Sequence, residues 1–363
     1  MEAIHRRVID RIRGWAKAHS KRAKIFLGIG IIVFVSIVVL VSLVLSAKPA
    51  FAPVATIEPE PKPEPVFYYS PLTGVEVKNE KITKAAVTAI MIENSPDARP
   101  QSGLKEAGVV FEAIAEGGIT RFVALYQENK PKLIGPVRSV RLYFVDWLAP
   151  FNASVAHVGG SANALRVVRT GGFRDIDQFF NPGTYWRATD RWAPHNVYTN
   201  FKKLDALNKA KGFKTSKFTS WPRIEGEPAE KRKATKINVH VSGPLFDSAY
   251  VYDKKTNKYN RSQGGAAHID RESGRIAPSV VIILDTIENT VFEDGYRESI
   301  KTSGSGKVRI FQGGNVIKGK WSKEDRKSQI KFVDSKGEEI DLFSGQTWIT
   351  AIPTNRGGNV TWQ

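Results

Sequence analysis

The sequence predicts three parts: a single N-terminal transmembrane helix, an α/β or α+β ectodomain with a central sheet, and a mostly β C-terminal domain. The helix is indicated by 23 consecutive uncharged residues at positions 25–47. The ectodomain is indicated by short apolar, strand-like runs between helix-like runs over residues 67–225. From residue 237 onward, apolar and polar residues alternate between Gly, Asn and Asp turns, which is typical of β structure.

The apolar run from Ile25 to Ala47 is long enough to cross a membrane. At about 1.5 Å per residue, a helix of this length spans about 34 Å, against about 30 Å for the hydrocarbon core. Residues 1–24 carry eight basic and two acidic side chains, whereas the first charges after the run are Lys48 and Glu58. Because basic residues stay on the cytoplasmic side, we expect a cytoplasmic segment 1–24, a single pass through the cell membrane and extracytoplasmic C-terminal domains.

A cleaved signal peptide is the alternative interpretation of the N-terminus. Ala50-Phe51-Ala52 resembles a cleavage site, but Pro53 follows it directly and hinders cleavage. The apolar run also exceeds the roughly 7–15 residues that are usual in such peptides. The sequence therefore favours an uncleaved anchor.

The composition of the chain limits the chemistry and the classes of partner that are expected for it. Its 363 residues include no cysteine, which excludes disulfides, thiol catalysis and attachment of a lipid to a thiol. The net charge is +18, of which +6 lies in residues 1–24 and +12 beyond them. Positive charge outside a membrane indicates an anionic envelope polymer or a lipid-linked ligand as the partner, with other envelope proteins as further candidates. Nucleic acid is not expected on that side of the membrane, and neither a cofactor nor a bound metal is expected.

Changes in composition predict the boundaries of the domains. Residues 48–66 form a spacer with six prolines, which reaches about 60 Å at roughly 3.1 Å per residue when extended. The ectodomain covers residues 67–225. A charged linker, residues 226–236, then leads to the mostly β domain, residues 237–353, and to a tail, residues 354–363.

Within the ectodomain, the periodicity of apolar residues predicts five strands and two helices. The strands are expected at residues 87–92, 109–114, 120–127, 132–140 and 154–158, and the helices at 141–149 and 162–169. Two alternatives are open for residues 137–141. A helix would place Arg138 and Arg141 on one face, whereas an extended segment would place Ser139 with Arg141 on one face and Arg138 on the other.

The densest group of chemically active side chains lies between residues 112 and 141. Guanidinium groups bind phosphate and carboxylate oxygens in pairs, so Arg121, Arg138 and Arg141 predict an anion site. Glu112 and Glu116 are candidates for a general acid or base in an enzyme. The alternative is that these glutamates pair with the arginines and close one end of the sheet.

Two further segments carry candidate residues. In the segment His157-Val-Gly-Gly-Ser, glycines would let the backbone approach a ligand closely. The loop from Arg187 to Asn196 crowds charged and aromatic side chains, and His195 is its candidate for catalysis. With Asp175 and Asp177, the two histidines have the chemistry of a zinc or general-base site, but their spacing matches no metal motif. The complete set of candidate ligand-binding residues is Arg121, Arg138, Ser139, Arg141, His157, Gly159, Gly160, Arg191 and Asn196.

Several motifs resemble those of the YerB-like family, bacterial envelope lipoproteins with a two-part domain of unknown function. The motifs are SPLTG at 70–74, ENSPDARPQSGL at 93–104, VVFEAIAEGGITRF at 109–122, GPVRSVR at 135–141, HVGGS at 157–161, RWAPHNVYTN at 191–200, YVYDKKTNKYNRSQGG at 250–265, AHID at 267–270 and SGQTWITAIP at 344–353. The resemblance implies an α/β-plus-β ectodomain at the cell surface and supplies no established activity. This chain has no cysteine to acylate, so a transmembrane helix replaces the lipid. A fainter likeness to the LytR-CpsA-Psr phosphotransferases is an analogy of fold.

These observations lead to three hypotheses about function. The first is a membrane-anchored envelope protein that binds an anionic cell-wall or lipid-linked ligand through an arginine-rich cleft. The second is a wall-active enzyme, either a phosphotransferase of lipid-linked polymers or a glycan hydrolase. The third is a non-catalytic scaffold for envelope enzymes, which an exposed apolar patch on the β domain would indicate.

Overall fold

The computed structural model describes residues 2–46 and 66–363. The chain forms two compact units that divide near residue 64. The predicted spacer and the cleavage-like site at residues 50–52 lie outside the described residues, except for Val66 at the end of the spacer. The two units are described separately below.

The N-terminal unit contains two helices, Glu2–Ala18 and Ser20–Ser46. Within the described part of the chain, Ser20–Ser46 is the one helix that is long and apolar enough to cross a membrane, with a mean hydropathy of 3.1 over an 18-residue window. It contains the predicted run apart from Ala47, and it begins five residues earlier because lysine and arginine are good helix formers. Its large apolar side chains are exposed within this unit.

A ten-stranded mixed sheet, called here the large sheet, organises the second unit. From one edge to the other its strands are Lys331–Val333, Asn315–Lys323, Gly304–Gln312, Val280–Thr286, Thr347–Pro353, Val109–Glu116, Ile119–Tyr126, Thr88–Glu93, Ser154–Ala156 and Arg174–Asp175. Thr347–Pro353 runs parallel to both of its neighbours, whereas Val109–Glu116 and Ile119–Tyr126 form an antiparallel hairpin. The strands at the centre of the sheet therefore come from both of the predicted domains.

A five-stranded antiparallel sheet, called here the second sheet, is built from the C-terminal part of the chain. Its strands, in order, are Ala266–Ala267, Lys258–Gln263, Ser248–Asp253, Lys236–His240 and Asn359–Trp362. The other strands form two-stranded pairs: Tyr68–Tyr69 with Glu76–Val77, Trp186–Arg187 with Val197–Tyr198, Arg223–Ile224 with Leu342–Phe343, Ile269–Asp270 with Gly274–Arg275, and Glu288–Phe292 with Tyr296–Ile300.

Side chains bury both faces of the large sheet. Along Thr88–Glu93, Ala89 and Met91 belong to one apolar cluster, whereas Ile90 and Ile92 belong to another. This alternation follows from the twofold period of a strand, and burial on both faces explains why the sequence of this strand is continuously apolar. The α-helices of this unit are Glu80–Thr83, Leu142–Leu148, Ala162–Thr170 and Phe201–Ala210, and short 3₁₀ turns lie at Pro96–Ala98, Leu104–Glu106, Ala149–Phe151, Pro182–Thr184 and Thr354–Arg356.

The structure confirms the predicted fold class, but the strand predicted at residues 132–140 is wrong. This segment makes only single-residue bridges to separate partners, for example between Ile92 and Val137 and between Val140 and Gly160. Pro136 has no N–H with which to continue a ladder. The helical alternative for residues 137–141 is also wrong, because Arg141 is extended, at φ −124° and ψ 151°, and the helix begins at Leu142.

Candidate functional site

The carboxylate of Glu93 lies at the centre of the candidate site. Its Oε1 is 2.9 Å from Nδ1 of His195, 3.1 Å from Oγ of Ser95 and 3.1 Å from Nε of Arg138. We call these four residues the Glu93 cluster. Glu93 is the last residue of a buried strand, and its side chain is itself buried. The cluster therefore joins Arg138 and His195, which were both predicted, through a carboxylate that was not.

Arg121 lies directly opposite Glu93 on the neighbouring strand. Arg121 as a residue is 5% exposed, and its Nη1 donates a 2.9 Å hydrogen bond to the carbonyl oxygen of Ser139. Its Nε is buried and has no hydrogen-bond partner within residues 2–46 and 66–363. Burial, the largest effect, lowers the pKa of Arg121 to about 10, Tyr143 and Glu93 oppose this shift, and Arg138 adds to it. The group is still protonated at neutral pH, so Arg121 is a buried cation.

Arg141 is the third arginine predicted for the site, and it lines the same cavity as Tyr143. Burial raises the pKa of the Tyr143 phenol, and the charges of Arg121 and Arg141 both oppose that shift. Arg141 is buried and forms an ion pair with Glu116, while its Nε has no partner. Burial also lowers the pKa of Arg141. We call Arg138, Arg121 and Arg141 the arginine row.

A cavity of about 310 Å³ adjoins Arg141. Its walls include Ser161 and Asn163 at the start of helix Ala162–Thr170, together with residues of the hairpin Glu288–Ile300. The carboxylate of Glu293, at the tip of this hairpin, accepts a hydrogen bond from the backbone N–H of Asn163. Helix N-termini attract anions, and here a carboxylate of the chain itself occupies that position.

The glycine segment packs against the arginine row through the backbone. Val140 donates to the carbonyl oxygen of Gly159 at 3.0 Å, and Arg138 accepts from the N–H of Val158 at 3.0 Å. A Cβ atom on Gly160 would lie 2.6 Å from Cγ1 of Val140, so only glycine allows this close approach. The glycines thus let this segment pack closely against residues 138–140 of the protein itself, whereas the sequence analysis predicted close approach to a ligand.

His157 supports this segment from inside the fold. Its fully buried imidazole bonds to the carbonyl oxygen of Gly159 at 2.8 Å through Nδ1 and to Asp175 at 3.0 Å through Nε2. The hydrogen bond from His157 helps to lower the pKa of Asp175 against the opposing effect of burial. Because His157 contacts Asp175 and His195 contacts Glu93, the two histidines do not share a carboxylate.

Arg191 and Asn196 hold the loop that carries His195. Arg191 donates to the carbonyl oxygens of Asp97 at 3.1 Å and Pro100 at 2.6 Å. The side-chain amide of Asn196 donates to the carbonyl oxygen of Arg191 at 3.2 Å. These bonds position the imidazole of His195, which is 22% exposed.

Glu112 and Glu116 have different environments. Glu112 is fully buried and forms a 2.8 Å ion pair with Arg261, which is also fully buried. This pair leaves Glu112 no contact with solvent, so we leave it out of the candidate site. Glu116 is 41% exposed on its side chain and is held by Arg141. Its candidacy as a general acid or base stays a prediction.

Sequence reasoning missed Glu93, Ser95 and Tyr143. A signal for Glu93 was present, because it is the first polar residue after the predicted strand 87–92. If that strand pairs with the predicted strand 120–127, a carboxylate at its end lies near Arg121. No local pattern marked Tyr143, since its position follows from how helix Leu142–Leu148 packs on the sheet.

Comparison with known proteins places the chain in a family. Models described as the N-terminal and C-terminal domains of a protein of unknown function, DUF3048, match residues 72–214 and 237–349. YerB of Bacillus subtilis (strain 168), which is named as a lipoprotein, is 33% identical over 290 residues, covering 78% of this chain and 86% of that protein. A crystal structure of the B. subtilis YerB protein is similar, with a TM-score of 0.72 and 32% identity, over 81% of this chain and 99% of that chain. The predicted resemblance is confirmed, and the chain belongs to the DUF3048 family, with both its N-terminal and its C-terminal domain.

Proposed function

We propose that this protein is anchored in the membrane and binds an anionic cell-wall or lipid-linked ligand outside it, through the arginine row. The environment of the Arg121 guanidinium is the single observation that carries the proposal. Among residues 2–46 and 66–363, no carboxylate lies within 4.0 Å of its guanidinium, although the group is buried and charged. Burying a cation without a counter-ion is unfavourable, and an anionic ligand would remove that penalty.

The other two members of the arginine row, Arg138 and Arg141, also have features that suit the binding of an anion. Arg121 and Arg141 each have a buried Nε atom without a hydrogen-bond partner among the described residues, whereas Nε of Arg138 lies 3.1 Å from Oε1 of Glu93. Arg138 and Arg141 each contact one carboxylate, from Glu93 and Glu116, so the row as a whole keeps an excess of positive charge. Charge-assisted hydrogen bonds from guanidinium groups are strong and geometrically specific for phosphate and carboxylate.

Titration with inorganic pyrophosphate tests the anion site. We expect the full chain in detergent to bind pyrophosphate, and Arg138→Ala to weaken binding by about tenfold to a hundredfold, as loss of a charge-assisted hydrogen bond worth about 1.5–3 kcal/mol implies. Isothermal titration calorimetry at two salt concentrations would measure affinity and its dependence on ionic strength. The matched control is Arg232→Ala, which removes an exposed arginine elsewhere that bonds only to a carbonyl oxygen. Equal affinities of the wild type and Arg138→Ala would overturn the proposal.

The proposed topology rests on helix Ser20–Ser46, on the basic residues that precede it and on the likeness to a protein named as a lipoprotein. The chain has no cysteine, so single cysteines can be labelled without background. In intact spheroplasts, we expect a membrane-impermeant maleimide to label Lys254→Cys, whereas Lys17→Cys is labelled only after lysis. Both positions are exposed. The reverse pattern would show that the orientation is inverted, and labelling of both before lysis would exclude a single uncleaved span.

A further inference from the structure

We propose that the ligand is an acidic glycan, whose sugar rings stack on Trp192 and Phe179 while its anionic groups bind the arginine row. This inference rests on the proposed function and adds the chemical class of the ligand. Two exposed aromatic rings lie on loops that are held by hydrogen bonds: the Trp192 loop is bonded through His195 to Glu93, and the Phe179 loop is bonded through Asp177 to Gly159.

Trp192 is the first of these rings, and it is 90% exposed. The backbone that carries it is fixed, because the N–H of His195 donates to the carbonyl oxygen of Trp192 at 2.9 Å and closes a tight turn. Arg191 ties the same loop to residues 97 and 100. His195 bonds to Glu93 within the Glu93 cluster. A large apolar ring is therefore held in solvent, three residues from the cluster, by a loop with little freedom.

Phe179 is the second ring, and it is 66% exposed. Oδ1 of Asp177 accepts hydrogen bonds from the N–H groups of both Gly159, at 3.1 Å, and Phe179, at 3.2 Å. A Cβ atom on Gly159 would lie 3.2 Å from the Phe179 ring, so the ring packs against that glycine. Gly159 in turn accepts from Val140. Phe179 is thus linked through Gly159 to Val140, which lies in the segment between Arg138 and Arg141, and it is on a different loop from Trp192.

A sugar ring matches this combination of groups. A pyranose presents an apolar face of C–H groups, which stacks on an aromatic ring, and hydroxyl groups around its edge. Rigid aromatic side chains supply contact area at low entropic cost. Oε2 of Glu93 is buried and has no hydrogen-bond partner among the residues that the structure describes, and Ser95 and His195 lie beside Glu93 as polar partners for hydroxyls. A bare phosphate group would use the arginines and leave both rings without a role.

Three probes separate ring stacking from charge: inorganic pyrophosphate, a hyaluronan hexasaccharide with alternating acidic and N-acetylhexosamine rings, and uncharged chitohexaose. All are titrated against the full chain in detergent. We expect Trp192→Ala and Phe179→Ala each to weaken hyaluronan binding by about tenfold, as a lost stacking contact of about 1.4 kcal/mol implies. Pyrophosphate affinity should stay within about twofold in both variants, whereas Arg138→Ala weakens binding of both anionic probes. Phe67→Ala, which removes an exposed aromatic ring from another segment, is the control and should change neither.

The outcomes distinguish this inference from the proposed function. Binding of pyrophosphate through Arg138, with hyaluronan affinity unchanged by Trp192→Ala and Phe179→Ala, overturns the glycan inference and leaves the proposed function intact. Failure of both anionic probes to bind overturns both. Chitohexaose binding that depends on Trp192 but not on Arg138 overturns the acidic character of the ligand. Near-ultraviolet circular dichroism of each variant confirms that the fold is unchanged.

Discussion

Arg261→Met is expected to destabilise the second unit by about 3–5 kcal/mol, because it leaves the carboxylate of Glu112 buried without its cation. The two side chains are fully buried, and Nη2 of Arg261 lies 2.8 Å from Oε2 of Glu112. The same carboxylate oxygen accepts from Nε1 of Trp348 at 2.9 Å. Arg261 belongs to the second sheet and Glu112 to the large sheet, so the pair joins the two sheets at their interface.

Chemical denaturation of the full chain in detergent, followed by near-ultraviolet circular dichroism, measures this effect on tertiary packing. Lys84→Ala, which breaks an exposed 2.5 Å ion pair with Glu80, is the control and should change the free energy of unfolding by less than about 1 kcal/mol. The double variant Arg261→Met/Glu112→Leu should recover much of the loss, because it removes both charges from the interior. A change of under about 1 kcal/mol in Arg261→Met would contradict this account of the interface.

Arg121→Met is expected to have the opposite effect and to stabilise the second unit by about 1–2 kcal/mol. The substitution removes a buried cation that has no carboxylate within ion-pair distance in the described residues 2–46 and 66–363, and it replaces that cation with an apolar side chain of similar length. It loses one hydrogen bond, to the carbonyl oxygen of Ser139, worth about 1 kcal/mol. Desolvation of the guanidinium, which also lowers its pKa to about 10, should outweigh that loss.

Arg121→Met is also expected to lose pyrophosphate binding. The informative result is the combination of higher stability with lost binding. Replacing a residue that serves only the fold should lower the stability of the protein. Replacing a residue kept for a ligand can remove function and raise the stability of the protein. Denaturation and calorimetry on one preparation measure both quantities. A marked loss of stability in Arg121→Met would assign Arg121 to the fold. The neighbouring Phe122→Leu, a substitution in the buried core, is the comparison in which stability should fall.

Local sequence patterns predicted the elements near the site well but not their mutual contacts. The strands at 87–92 and 109–114 and the helices at 141–149 and 162–169 were predicted close to their observed bounds, because their apolar periodicity is strong. The segment 132–140 was mistaken for a strand because its apolar residues alternate. Its backbone instead bonds one residue at a time to four different partners, and no local pattern encodes such an arrangement.

The predicted domain boundary and the observed order of strands in the large sheet differ in what the sequence can specify. A change in composition marks residues 226–236. The boundary placed there, between the ectodomain at 67–225 and the mostly β domain at 237–353, stays a prediction. The observed sheet nevertheless places Thr347–Pro353, from the C-terminal part, between Val280–Thr286 and the N-terminal strand Val109–Glu116. Parallel pairing between strands more than two hundred residues apart depends on the packing of the whole unit, and the sequence around each strand does not specify its partner.

By itself, the amino-acid sequence determined the apolar N-terminal helix, the classes of secondary structure, the excess of positive charge and the arginines as the residues of interest. Charge and hydrophobic periodicity are local properties, so they can be read without knowing which segments meet. Only the tertiary structure decided that Glu93 joins Arg138 to His195, that Glu112 is buried with Arg261 and that Arg121 has no carboxylate partner within the described part of the chain. Whether a charge is paired depends on contacts between residues distant in the chain, and burial in the folded interior then sets the energetic consequence of that pairing.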